Sequence, residues 1–194
     1  MGTTTKMAIP YPEATGLVKD GWEDMKDIAT QVDAKSGLVL IDTLAFSSVT
    51  TQSFNNVFSA NYDNYKVLIT TDCNSDTDMA FRLRASGTDN STASSYILQR
   101  VSGISTTAAA IRQTNNYIAG INVFNADTNA LEMTIYRPFL AKPTLFTGQL
   151  QYGLGSSSMY AFSVQHNQST SYDGFTFYGA TFTGTISIYG YNKE

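Results

Sequence analysis

A chain of 194 residues is long enough to bury one substantial core, and a net charge of −4 argues against nucleic-acid binding, because no basic stripe is available for phosphates. Charged residues make up 14% of the chain, against about 25% in a typical soluble protein. The single cysteine excludes an intramolecular disulfide, and no apolar run reaches the roughly 20 residues of a membrane span. We therefore predict a cofactor-free protein that neither binds nucleic acid nor inserts into a membrane.

The few charges are unevenly distributed. Residues 1–35 hold 10 charged side chains and the other 159 residues hold 18. This change in composition predicts a boundary near Ser36 and Gly37. We expect an N-terminal segment, 1–36, and a second domain, 37–194.

The chain begins with a predicted extended arm over residues 1–16. Pro10 and Pro12 lack backbone donors and restrict the residues before them to extended geometry. No hydrophobic region of signal-peptide length is present here, so we expect a protein that is made in the cytoplasm without an export signal of its own.

A short helix is predicted next, over the sequence DGWEDMKDIATQVDAKSG. Asp20 can cap its first turn, Glu23 completes a capping box, and Gly37 suits its end. The apolar positions recur at helical spacing and form one stripe, hereafter the helix stripe: Trp22, Met25, Ile28, Ala29 and Val32. Because a helix this short is marginal alone, the stripe is predicted to rest on its own β domain, on sister helices or on another protein.

From Leu38 onward the hydrophobic period changes to two, which is typical of strands. The strand candidates are LVLIDTLAF, SFNNVF, YKVLIT, MAFRLRA, YILQRV, LEMTIYRP, TLFTGQLQYGL, MYAFSVQHN and the stretch from Phe175 to Tyr191. Between 108 and 124, AAAIRQ fits either a strand or a helical turn, whereas YIAGINVF is strand-like. Nine or ten short strands without a long helix predict a mainly-β fold, a jelly-roll-like antiparallel β-sandwich.

The stretch from Phe175 to Tyr191 is the most regular of these candidates. Phe182, Ile186 and Ile188 alternate with Thr and Ser, which predicts one face on the core and one toward water or a partner. Gly179 and Gly184 are predicted to mark kinks or bulges.

Two parts of the chain resemble proteins of tailed-bacteriophage virions. The segment IPYPEATGLVKDGWEDMKDIATQVD is similar to their N-terminal arms and helices, and FNNVFSANYDNYKVLI, RLRASGTDNSTASSYILQ and GTISIYGYNK resemble the β domain of tail-fibre, minor tail and head-fibre proteins. The resemblance implies a virion structural protein, a homotrimer attached to other virion proteins through its N-terminus. It leaves tail and head locations open. The anchoring residues that it implies, together with the helix stripe, include Tyr11 and Leu17.

Catalytic residues are hard to find in this sequence. His166 is the only histidine, so a nucleophile with a histidine base would have to use it, yet it lies between a strand and a polar loop and is expected to be exposed. Paired carboxylates for cleaving polysaccharide are conceivable, but the acids fall mostly in turn-like contexts. We predict that the protein is not an enzyme.

A calcium site is a weaker possibility in the segment TDCNSDTD. Asp72, Asn74, Asp76 and Asp78 place oxygen-bearing side chains at alternate positions, as calcium loops do. The positions where an EF-hand loop requires Gly and Glu hold Thr77 and Leu83. A hairpin turn between YKVLIT and MAFRLRA explains the same residues, and we favour it. Cys73, in this turn, is expected to be an inert thiol.

Tyrosines cluster in the last third of the chain, among Asn, Ser and Thr, and are expected on an exposed face: Tyr152, Tyr160, Tyr172, Tyr178, Tyr189 and Tyr191. They suit either subunit contacts in a trimer or stacking on sugars of a host cell-surface glycan. We favour subunit contacts. A carbohydrate-binding, lectin-like module is the alternative function, although a free lectin has no need for residues 1–35.

Overall fold

The computed structural model describes residues 2–3, 10–11, 21–35, 37–75, 77–124, 128–153 and 158–193. Strands make up most of the described residues, and one helix is present among them. The elements in these residues are β1 (Gly2–Thr3), β2 (Pro10–Tyr11), α1 (Gly21–Lys35), β3 (Leu38–Phe54), β4 (Asn64–Cys73), β5 (Thr77–Ala85), β6 (Thr88–Asp89), β7 (Tyr96–Ile104), β8 (Thr107–Asn116), β9 (Ala119–Phe124), β10 (Thr128–Tyr136), β11 (Thr144–Tyr152), β12 (Ser158–His166) and β13 (Gly174–Tyr191). The prediction of a mainly-β fold with one short N-terminal helix is confirmed.

The chain divides into two compact units, Met1–Val39 with Asn192–Glu194, and Leu40–Tyr191. In the first unit, β1 and β2 pair antiparallel, with Gly2 opposite Tyr11. The predicted helix is present as α1, and Glu23 and Asp24 lie in its first turn, where acidic side chains interact favourably with the helix dipole. The predicted cap, Asp20, lies outside the described residues.

The second unit is an antiparallel sheet curled into a half-barrel, consistent with a β-sandwich. Its strand order is β6-β5-β13-β4-β10-β11-β12-β7-β8, with β3 also paired to β13 and β9 also paired to β5. The region left open between strand and helical turn, residues 108–124, forms β8 and β9. Only the first two residues of SFNNVF lie in a strand, because Asn56 takes a positive φ of 57° and the chain leaves β3.

Strand β13 lies between β5 and β4 in this sheet. Its residues Gly174–Tyr178 pair with β5, whereas Phe182–Gly190 pair with β4. Strand β3 contacts both halves, since Ser53 Oγ lies 3.0 Å from Thr176 Oγ1 and Thr43 Oγ1 lies 3.1 Å from Ser187 Oγ. The edge of β13 that does not face β3 therefore pairs with β5 over its first half and with β4 over its second half.

The predicted hairpin between YKVLIT and MAFRLRA is therefore wrong. Strands β4 and β5 follow each other in the chain, but each pairs with a different half of β13 and neither pairs with the other. Gly179 lies between the two paired halves of β13, which continues as one strand through this residue, and the kink expected there stays a prediction. At Gly184 the register runs on without a bulge, and the glycine is required because a Cβ there would lie 2.0 Å from the carbonyl oxygen of Thr70.

The core forms where alternate residues of these strands face inward. Strand β12 alternates buried and exposed residues along its whole length, and β4 and β10 do nearly the same. Phe182, Ile186 and Ile188 are fully buried, as the alternation of β13 predicts. Aromatic rings fill the space between, with Phe54 stacked on Phe175 at 5.0 Å and Phe46 edge-on to Phe182 at 5.0 Å.

Candidate functional site

The helix stripe on α1 is exposed on this chain. Trp22 is 60% exposed and Met25 is 64% exposed, and Val32 and Ala29 are also exposed, whereas Ile28 is half-buried. Large apolar side chains in water are costly, at about 25 cal/mol per Å², so the stripe is a candidate docking surface. Of the other predicted anchor residues, Tyr11 lies in β2 and Leu17 lies outside the described residues.

A second exposed surface covers one side of the sheet. We define the outer face as the outward-facing side chains of β4, β10, β11, β12, β7 and β8. The described charged residues on it are Lys66, Asp72, Glu132 and Arg112. Lys66 Nζ lies 2.8 Å from Glu132 Oε2, and Asp72 Oδ1 accepts a hydrogen bond from Thr128 Oγ1 at 2.7 Å. The outer face thus has no net charge.

Apolar residues concentrate toward one end of the outer face. Val101 of β7 is 53% exposed and Met159 of β12 is 49% exposed. The pairing register places Ala161 and Ala110 on either side of Val101. Apolar area without charge is typical of the interior of a protein–protein interface. This end of the sheet is therefore the part of the outer face best suited to a protein partner.

The tyrosines of the last third do not form the single exposed face that was expected. Tyr160 and Tyr172 are buried, which corrects the prediction for both. Tyr160 points inward on β12 and stacks on Tyr152, with the two hydroxyls 3.0 Å apart. Tyr178, which is half-buried, donates to Asp89 Oδ2. Tyr189 and Tyr191, on the far half of β13, are also half-buried.

His166 is the largest departure from the sequence prediction, because it is fully buried and not a surface loop residue. It is the last inward-facing residue of β12, and its ring lies 4.3 Å from that of Tyr96. Its Nε2 lies 2.6 Å from Oη of Tyr172, which also accepts a hydrogen bond from Asn90 Nδ2 at 2.8 Å. We call these four residues the buried histidine cluster.

The environment of His166 keeps the imidazole neutral. Burial lowers its pKa from 6.5 to about 4, and the backbone of Ser95 opposes that shift in part. The Tyr172 hydroxyl accepts from Asn90 Nδ2 and shares a hydrogen bond with Nε2 of His166, and these two contacts hold the ring in place. The side chain that bonds His166 in the described residues is a tyrosine, and no serine or cysteine nucleophile is paired with it. This arrangement supports packing and does not form a catalytic triad.

A charged cluster that the sequence did not reveal joins four strands. Arg84 Nη1 lies 2.9 Å from Asp89 Oδ1 and donates to Ser53 Oγ at 2.6 Å. Thr176 Oγ1 also donates to Asp89 Oδ1, at 2.7 Å, and Tyr178 binds the other carboxylate oxygen. Strands β3, β5, β6 and β13 are thereby tied together. The carboxylate is committed to these contacts and is a poor candidate for catalysis.

A cleft of about 390 Å³ opens beside this cluster. Its walls are hydroxyl- and amide-bearing side chains of the loops around β6, including Thr88, Asn90, Thr92 and Thr170. The amide of Asn90 is already used at both ends, since Oδ1 accepts from the backbone N–H of Thr92 and Nδ2 donates to Tyr172. The Asn90 amide is therefore not available to a ligand in this cleft.

The proposed calcium loop falls partly outside the described residues, because Asp76 and the side chain of Asp78 are not described. Asp72 lies in β4 and bonds Thr128, and Asn74 Oδ1 accepts from Ser75 Oγ at 3.4 Å. Within the described ranges, no group of three His, Cys, Asp or Glu side chains is placed to hold a metal ion. Cys73 is a buried residue of β4 and not of a turn, and burial raises the pKa of its thiol.

Comparisons with known proteins add little to this description. No protein-family model and no curated protein match the chain. Among solved structures, a fructofuranosidase from Schwanniomyces occidentalis, complexed with fructose, matches 80% of this chain with 8% identity and a TM-score of 0.23. The matched region spans 34% of that structure's length. A likeness this weak carries no argument about fold or activity. No helix in the described ranges is both long and apolar enough to span a membrane.

Proposed function

We propose that the protein is a non-enzymatic structural component of a tailed-bacteriophage virion, a tail-associated fibre or minor tail protein attached through residues 1–36. A head fibre or a capsid decoration protein is the alternative within this class. The observation that carries the proposal is the exposure of the helix stripe, in which Trp22 and Met25 present more than half of their surface. An attachment helix needs such a face, and a free enzyme or lectin does not.

The physical argument for attachment rests on where binding energy concentrates in an interface. A few large aromatic side chains provide most of it, and tryptophan is prominent among them. Trp22, the single tryptophan of the chain, is exposed on a polar, well-charged helix. Its burial in a pocket of another virion protein would stabilise the attached state more than any other contact that α1 can make.

The proposed role of the second unit is to associate with its own copies and to project from the particle. The outer face, whose charges sum to zero, supports this role, because self-association requires a surface on which like charges do not oppose each other. The homotrimeric state follows from the resemblance to fibre proteins. The non-enzymatic part of the proposal is supported by the burial of His166 and by the commitment of Asp89 to Arg84.

The experiment compares two substitutions on α1 in particles of the phage that encodes the chain. Trp22→Asp places a charge in the helix stripe, whereas Thr30→Asp places the same charge at an exposed position outside the stripe. We expect Trp22→Asp to reduce the protein found in purified particles by about tenfold or more, since a hot-spot residue contributes 2 kcal/mol or more. Thr30→Asp should leave incorporation unchanged. Equal incorporation of both variants would contradict the attachment role.

A further inference from the structure

The edge strand β8 differs from the other long strands that the structure describes, because both of its faces are exposed to solvent. Its residues Thr107–Asn115 are exposed on both faces, and Ile111 is 40% exposed. Among the described strands it pairs only with β7. An antiparallel strand normally buries one face on a core, and a two-stranded ribbon is marginally stable in water. Three consecutive alanines add little β propensity of their own.

The open side of β8 also lacks the usual protection of sheet edges. Edge strands are commonly blunted by proline, by several charges or by short length. Strand β8 is 10 residues long, contains no proline and carries one charged residue, Arg112. Its backbone is therefore free to pair with another strand.

The hairpin geometry shows which backbone groups point to the open side. Ile104 and Thr107 flank the two-residue turn and face each other in the register. The pair that closes such a turn is hydrogen-bonded, and bonded and non-bonded pairs alternate along an antiparallel ladder. Ala109 and Ile111 therefore direct their N–H groups toward β7. Ala108, Ala110 and Arg112 direct theirs to the open edge.

Charge identifies a second copy of the chain as the partner. Arg112 is the one charged residue on the open edge, because Arg100 of β7 faces the ring of Tyr160. Without Arg112, the rest of the chain has a net charge of −5. A second copy thus offers predominantly acidic charge to Arg112, and such complementarity favours association. A single exposed arginine is too little for a nucleic-acid site.

We propose that the open edge of β8 is the place where copies of this chain join, with a strand of the neighbouring copy adding to the sheet beyond β8. Added main-chain hydrogen bonds would hold the contact, and the neighbour's side chains would cover Ile111, which otherwise remains in water. This inference rests on the self-association in the proposed function and assigns it to one strand.

The test uses the full-length chain with Ala110→Pro, which removes an N–H that points to the open edge and leaves the ladder to β7 intact. Proline is tolerated at such edge positions. Ala110→Ser is the matched control, because it keeps the N–H at the same site. Mass from light scattering and far-UV circular dichroism are measured at micromolar concentration. We expect oligomers for the unchanged chain and for Ala110→Ser, and a folded monomer for Ala110→Pro.

A second variant covers the case in which Ala110→Pro does not fold. Arg112→Glu leaves the backbone unchanged and reverses the one charge on the edge, and we expect the concentration for half-dissociation to rise about tenfold or more. An oligomer that survives in folded Ala110→Pro, or equal dissociation of Arg112→Glu and the unchanged chain, would overturn the edge assignment. A monomeric unchanged chain would overturn it as well. Incorporation of Trp22→Asp into particles tests the virion role independently of all these outcomes.

Discussion

Acid should destabilise the second unit through one residue, His166. Its pKa is about 4 in the folded protein and 6.5 in the unfolded chain, because burial disfavours the charged ring. Above pH 6.5 both states are neutral at this site and the full stability is present. Between pH 6.5 and 4 the unfolded chain binds a proton that the folded protein does not, so stability falls as the pH falls.

The size of the effect follows from the two pKa values. The titration of His166 alone should lower the free energy of unfolding by about 2 kcal/mol at pH 5 and by about 3 kcal/mol at pH 4, relative to pH 7.5. Because the ring is fully buried in the folded state, solvent screening does not reduce this figure appreciably. The loss is a large share of the 5–15 kcal/mol by which a domain is typically stable.

The assay is urea unfolding at pH 7.5, 5 and 4 for the unchanged chain and for His166→Gln, which cannot titrate in this range. Far-UV circular dichroism is the appropriate probe, because it follows the strand content of the second unit, whereas Trp22 belongs to the first. His166→Gln will be less stable at pH 7.5, because it disturbs the contact with Tyr172. The quantity to compare is the free energy of unfolding. The difference in this free energy between the unchanged chain and His166→Gln should shrink by about 2 kcal/mol from pH 7.5 to 5. A difference that stays constant with pH would refute the reasoning.

Three further predictions concern the packing of the sheet. Gly184→Ala should lower the free energy of unfolding by about 1–3 kcal/mol, because its Cβ would meet a backbone carbonyl, whereas Gly103→Ala, with open space around it, should have little effect in the same chemical denaturation assay. Arg84→Ala should cost about 3 kcal/mol or more, since it leaves a mostly buried carboxylate unpaired, and Lys66→Ala, which breaks a more exposed ion pair, should cost less than about 1 kcal/mol. Cys73 should react with a thiol reagent only at the rate of unfolding, because it is buried and its thiol pKa is raised; fast labelling of the folded protein would contradict its placement.

The sequence predicted the fold well wherever local periodicity determines it. The alternation of Phe182, Ile186 and Ile188 specified which face of β13 is buried, and the spacing from Trp22 to Val32 specified α1. These features depend on residues close together in the chain. Pairing partners do not, and the hairpin expected between β4 and β5 shows the difference. The same turn residues suit a hairpin or a crossing between the two halves of β13, and only tertiary pairing decides between them.

The buried clusters were missed in the sequence analysis for a related reason. His166 stands in a polar context, and its burial depends on Tyr96, which is 70 positions earlier in the chain and packs over the ring. Asp89 follows a turn, and nothing near it in the sequence indicates a partner such as Arg84 or Thr176. A burial signal was present for His166, since it continues the inward alternation of Phe162 and Val164 in β12. The alternation of β12 determines the burial of His166 more strongly than the polar residues that follow it in the sequence.

The central position of β13 has a consequence for how the second unit is made. Thr43 and Ser187, which share a hydrogen bond, are 144 residues apart in sequence. Strands β4 and β5 also cannot complete their backbone hydrogen bonds until β13 is present. Topologies dominated by such distant pairings fold slowly, on the order of milliseconds to seconds. While the chain is being synthesised, β3, β4 and β5 must remain without their shared neighbour until the residues from Gly174 onward have left the ribosome. Strands with open edges are prone to aggregate during that interval. We therefore expect the yield of folded protein to depend strongly on temperature and chaperone supply during synthesis.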